Sequence, residues 1–216
     1  MARKTAVVLL LSLLALSCNK GSGSSDVVDL GAPSGVVDDE ANDNYVVPDS
    51  AYSFDSNIDL YYFSLSQEEK FNKAIEIIKL VVATEQFKRQ VQDHTYQGAR
   101  TYVDNGGYSN AQIYQIILDG AEKLQPVKNN SLDAEFEIYT DDDSNVVGYT
   151  YPTSNRIWVN TKYFNSYSPA GVAHNVFHEW LHKLGFKHAT SYSPSRDYSV
   201  PYAIGDMIGD IGKNFL

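Results

Sequence analysis

Four of the five histidines fall between His174 and His188. Within that stretch, His178-Glu179-Trp180-Leu181-His182 spaces two histidines four residues apart. On a helix such positions sit about 40° apart on one face, so both imidazoles can reach a single ion. Zn²⁺ accepts imidazole nitrogen at about 2.0–2.1 Å, and a catalytic zinc site uses three protein ligands and one open position. Glu179, next to the first histidine, can hydrogen-bond a water at that position, take its proton and later return it to a leaving amine. The pattern continues Lys183-Leu184-Gly185-Phe186-Lys187-His188. Gly185 can adopt φ > 0 without penalty, so the chain can turn out of the helix and present His188 as the third nitrogen. A carboxylate oxygen also binds zinc, so Asp197 or Asp206 in the third place, with His188 as a loop residue, stays open. His174, one turn before His178, is either a second-layer group or a packing residue. Trp180 and Phe177 read as core.

The eleven residues His178 to His188 resemble the signature of the metzincin metallopeptidases, H-E-x-x-H-x-x-G-x-x-H followed by a methionine turn. Met207, in Ala203-Ile204-Gly205-Asp206-Met207-Ile208-Gly209, is the sole methionine after Met1. The resemblance implies zinc bound by His178, His182 and His188, Glu179 as general base, and Met207 as an apolar floor beneath the metal. Plain core filling is the alternative for Met207. In several metzincins a tyrosine follows two residues after that methionine, where this chain has Gly209. Tyr202 or Tyr198 could take that part, and Tyr202 is the tentative catalytic assignment. The implied fold is zincin-like: an α/β (α+β) domain with a small twisted mixed sheet, two backing helices, an active-site helix and an irregular C-terminal subdomain.

Several elements must position these groups. Ser66-Gln67-Glu68-Glu69 reads as a capping box opening a helix. Phe71, Ala74, Ile75, Ile78 and Val82 recur at three- and four-residue steps, marking one face of a helix to about Gln92. Asn105-Gly106-Gly107 breaks the chain, and Ser109 with Gln112 caps a second helix ending before Pro126. Phe136 and Ile138 alternate with Glu135, Glu137 and Tyr139, as in a half-buried strand. Asp141-Asp142-Asp143 reads as a solvated hairpin turn rather than a calcium loop, which needs defined spacing and a closing carboxylate. Strands over 146–151 and 156–160 follow. Ser168-Pro169 then starts the active-site helix, and Gly185 stops it.

The N-terminus reads as an address. Arg3 and Lys4 precede the apolar run Ala6–Leu16, interrupted only by Ser12. About eleven residues is too short for a mature membrane span and suits a signal-peptide core. The run ends at Ala15-Leu16-Ser17-Cys18, where Cys18 is the one cysteine. This resembles a bacterial lipobox and implies cleavage before Cys18 and lipidation there. Residues 18–50 are rich in Gly, Ser and Asp and read as a flexible acidic tether, with latency through one of its carboxylates as an alternative. The expected division is a signal peptide over 1–17, the tether over 18–50 and the catalytic domain over 51–216. Of 216 residues, 43% are hydrophobic and 20% charged, ordinary values that exclude disorder of the whole chain. A net charge of -10 disfavours a duplex nucleic-acid partner.

The reading is thus a zinc-dependent endopeptidase of the cell envelope, lipid-anchored at the outer membrane of a Gram-negative bacterium or else secreted, monomeric, acting on peptide or protein substrates. Substrate is expected to lie extended beside the strand over 156–160. Two other classes remain: a catalytically silent zinc-containing surface binding protein, and a zinc amidase acting on cell-wall amide links.

Overall fold

A computed structural model describes residues 54–215 together with the backbone of Leu16–Asn19. The expected leader and tether, and the Cys18 side chain, otherwise lie outside the described residues. No helix among the described residues is long and apolar enough to cross a membrane.

The strands are β1 (Leu16–Asn19), β2 (Asp55–Tyr61), β3 (Ser131–Tyr139), β4 (Val146–Thr150) and β5 (Arg156–Asn160). They form one mixed sheet in the order β1-β4-β5-β3-β2, in which β2, β3 and β5 run parallel and β4 antiparallel to β5. The expected α+β class with a mixed sheet is therefore correct. The 141–145 stretch is not a hairpin turn, because β5 inserts between β3 and β4 and pairs with both. β5 is consequently an inner strand with both hydrogen-bonding edges used. It cannot accept an added peptide strand, which overturns the placement of substrate beside 156–160. The edge next in line is that of β4, where Leu16–Asn19 pairs antiparallel.

Alternation along β3 puts Leu132, Phe136 and Ile138 on one face and Glu135, Glu137 and Tyr139 on the other. The apolar face is covered by helices. The opposite face carries the pairs of Arg156 with Glu135 and Glu137, both at 2.7 Å, and Tyr149 stacked on Trp158.

The helices are α1 (Leu65–Val82), α2 (Glu85–Asp93), α3 (Asn110–Asp119), α4 (Thr161–Ser166), α5 (Pro169–Lys183) and α6 (Val200–Gly212). α1 starts two residues earlier than the expected box: Ser64 is its N-cap, and its N–H donates to Gln67 Oε1. The long helix to Gln92 is two helices. Thr84 in extended conformation breaks it, and its hydroxyl accepts from the Phe87 N–H to cap α2. Ser109 and Gln112 cap α3 reciprocally, as expected. α5 crosses the interior, with Trp180, Phe177 and Leu181 fully buried. The Trp180 indole N–H donates to Glu122 Oε1 at 2.6 Å.

The C-terminal part is more regular than expected. Residues 186–195 contain no helix or strand, but Pro201, in the first turn, leads into α6, a continuous helix along α5. Its close approach rests on glycines. A Cβ at Gly205 would lie 3.3 Å from the His178 Cβ, and one at Gly209 3.2 Å from the His174 Cβ.

Candidate metal centre

The cap of α5 is built as the sequence indicates: Ser168 accepts from the Gly171 N–H, and Pro169 occupies the first turn. At the other end, Gly185 has φ +99, a conformation that side chains rarely adopt, and the Phe186 N–H returns to the Leu181 carbonyl. This turn carries the chain back over the helix end and brings His188 against the two helical histidines.

Among the described residues, His178, His182 and His188 are the one group of histidine, cysteine and carboxylate side chains close enough to hold a metal ion. Their ligand atoms lie within 4.8 Å of one another, and all three residues are buried. His182 Nδ1–H donates to the Phe186 carbonyl at 2.8 Å, and His188 Nδ1–H to the Ala189 carbonyl at 2.9 Å. A carbonyl only accepts, so both rings are fixed with a lone pair on Nε2, the tautomer that binds a metal. His182 Nε2 is buried with no protein partner. His178 Nε2 and His188 Nε2 are 3.3 Å apart. Two nitrogens on a tetrahedral ion at about 2.0–2.1 Å stand about 3.3–3.4 Å apart, so this edge already has the required length.

Burial pushes all three imidazoles below the usual histidine range, His182 to about 3, with neighbouring histidines adding to the effect at His178 and His182 and the Arg196 guanidinium at His188. They are neutral at pH 7, the form a cation requires. The residues present fit a metal ion.

Glu179 is fully buried at the centre of α5. It faces β4: a Cβ on Gly148 would lie 3.2 Å from Glu179 Oε1, 3.2 Å from Asn175 Oδ1 and 3.1 Å from the Trp158 carbonyl oxygen. A glycine here lets β4 run directly against the carboxylate. Lys183 ties the same helix to the turn after β4, its Nζ donating to the Ser154 carbonyl at 2.6 Å and the Arg156 carbonyl at 2.9 Å. Burial lowers this ammonium to about 8.

The remaining residues singled out from sequence sort by position. The Tyr202 ring packs on His178 at 4.5 Å and on His188 at 4.8 Å between centroids. Its hydroxyl bonds the guanidinium of Arg196, which is buried. Tyr198 lies instead against Tyr96 and His94. Asp206 pairs with His174, Nδ1 to Oδ1 at 3.3 Å, and neither joins the three-histidine group. Asp197 does not join it either.

Met207 lies inside α6, not on a turn. It is two residues from both Gly205 and Gly209, so it projects from the side of α6 opposite the face on His174 and His178. The expected methionine floor is absent at that face, and Tyr202 and Gly205 stand against the ligands instead.

Arg196, Gly148 and the role of Glu122 beneath Trp180 were not singled out from sequence. The spacing Gly205-x-x-x-Gly209 was a legible signal for close helix contact. Nothing in the sequence around Arg196 marked it. The sequence matches no family model and no curated protein.

Proposed function

We propose that this chain is a zinc-dependent endopeptidase, with His178, His182 and His188 as ligands and Glu179 as general base. The observation that carries the reading is the pair of carbonyl-fixed histidines at the turned end of a helix whose preceding turn presents a buried glutamate to β4. Three neutral imidazoles suit zinc. Zinc bound there supplies Lewis acidity to a carbonyl oxygen and to a water.

The chain's own residues do the rest. Burial on α5 holds the Glu179 carboxylate in a low-dielectric site where it accepts a proton from water and passes it to the departing amine. The hydrogen bonds from His182 and His188 to backbone carbonyls hold the ligand rings in place. Tyr202, whose ring packs on His178 and His188 and whose hydroxyl Arg196 engages, is the candidate to donate to the reacting carbonyl oxygen. An extended peptide taking the place that Leu16–Asn19 occupy along β4 passes Glu179 at Gly148. The apolar leader and Cys18 extend the reading to a lipid-anchored protein of the cell envelope, tethered by residues 18–50.

The test is hydrolysis of a mixed quenched-peptide library by the full chain with zinc, with a chelator, and as Glu179→Ala. Chelation should abolish cleavage, and zinc should restore it. Glu179→Ala should lower kcat by about 10²- to 10⁴-fold while the zinc content stays at one per chain. Cleavage that survives in Glu179→Ala overturns the reading. Zinc bound without cleavage of any peptide transfers the chain to the silent binding proteins.

A further inference from the structure

Beside His182 lies a cavity of about 270 Å³, between the end of α5, the turn after β4 and the segment after α3. Lys123 and Lys187 line it. Both are exposed, and neither has an ion-pair partner among the described residues. The Lys123 stem packs over Gly185, the glycine that turns the chain toward His188. Glu122 also lines the cavity; it is 2% exposed. Its Oε1 accepts from the Trp180 indole and from the Asp133 N–H, which leaves Oε2 buried with no partner. Lys183 is fully used by backbone carbonyls and acts here as wall.

In a chain of net charge -10, two unpaired ammonium groups flank a cavity that shares a wall with a metal ligand. A buried carboxylate oxygen in the same wall lacks a hydrogen-bond partner. We propose that this cavity is a specificity subsite for an acidic side chain of the substrate, held between Lys123 and Lys187. The inference rests on the peptidase reading. The turn after β4 forms one wall, and a peptide in the place of Leu16–Asn19 runs along β4 from Glu179 toward that turn.

Two partly exposed charge pairs favour Glu over Gln by about five- to tenfold. The experiment uses quenched peptides identical except for Glu, Gln or Lys at each of several positions on both sides of the bond, with the zinc-loaded full chain. One position should prefer Glu over Gln by about five- to tenfold, expressed in KM. That preference should shrink as salt rises and fall below about twofold in Lys123→Met/Lys187→Met. Equal rates for Glu and Gln at every position, or a Glu preference untouched by the double substitution, overturn the subsite. If no peptide is cleaved, the peptidase reading fails separately, and binding of the same labelled peptides by anisotropy decides the subsite. Tighter binding of the Glu peptide that depends on both lysines supports it, and equal binding overturns it.

Discussion

Substituting Gly148 with alanine separates the role proposed for Glu179 from metal binding. The backbone at Gly148 is outside the positive-φ region, so alanine adds no torsional strain there. The added Cβ would stand 3.2 Å from Glu179 Oε1, 3.2 Å from Asn175 Oδ1 and 3.1 Å from the Trp158 carbonyl oxygen. Ordinary carbon–oxygen contacts lie near 3.5 Å, so something yields by about 0.3 Å. The Trp158 oxygen is main chain in an inner strand, and the movable atoms are the ends of Asn175 and Glu179. A misplacement of 1 Å can cost about 10²-fold in rate, so 0.3 Å scales to about four- to tenfold in kcat. The crowding should cost about 1–2 kcal/mol of stability, partly offset by the smaller entropy of the unfolded alanine chain. No histidine is among the three nearest atoms this Cβ meets, so zinc affinity should stay within about twofold. The assay is kcat on a cleavable peptide beside zinc titration and thermal unfolding of the same preparation. An unchanged kcat in a folded, zinc-loaded Gly148→Ala protein would refute the placement of Glu179 against β4 as the position that matters for catalysis.

Gly185→Ala should act on the metal site instead. At φ +99 a side chain is strained; the end of Lys123 can swing away from the added Cβ, but the backbone relieves its strain by shifting the turn, which carries His188 with it. Zinc affinity measured with a competing chelator should fall at least tenfold, and wild-type affinity would contradict the role given to the turn. Acid should weaken the metal-free protein through its buried histidines. His182 titrates near 3 when folded, against about 6.5 when unfolded, so between those values the unfolded chain binds more protons and stability falls as pH falls. By pH 5 this one residue removes about 2 kcal/mol, and His178 and His188 shift the same way. Urea midpoints of the metal-free chain at pH 7 and pH 5 measure it, and substituting His182 with glutamine should flatten the difference.

Local chemistry makes α5 legible in the amino acids alone. Ser168-Pro169 and Gly185 bound the helix in sequence and in space, because caps and stops act through hydrogen bonds and torsions within a few residues. The spacing of His178 and His182 needs only the helical repeat to place them on a shared face. β5 and the cap of α3 are equally local, and the fold class follows from the change of period along the chain. Sequence patterns mislead where competing interactions decide. Thr84 breaks a continuous apolar pattern because its hydroxyl caps a new helix, and periodicity does not register that competition.

Tertiary structure decides what stands next to what. β3 and β4 are neighbours in sequence, yet β5 lies between them, since strand order is set by which faces and edges are buried together. That order makes β4, not β5, the neighbour of Glu179. Met207 suited a metal floor by motif alone. The glycines that dock α6 on α5 turn it to the far side and leave Tyr202 against the ligands. The amino acids by themselves specified three nitrogens, a carboxylate and the turn that joins them, all within eleven residues. The strand beside the carboxylate, the phenol beneath the ligands and the lysine-lined cavity come from segments far apart in the chain. Contacts among those segments are settled only when the whole core closes.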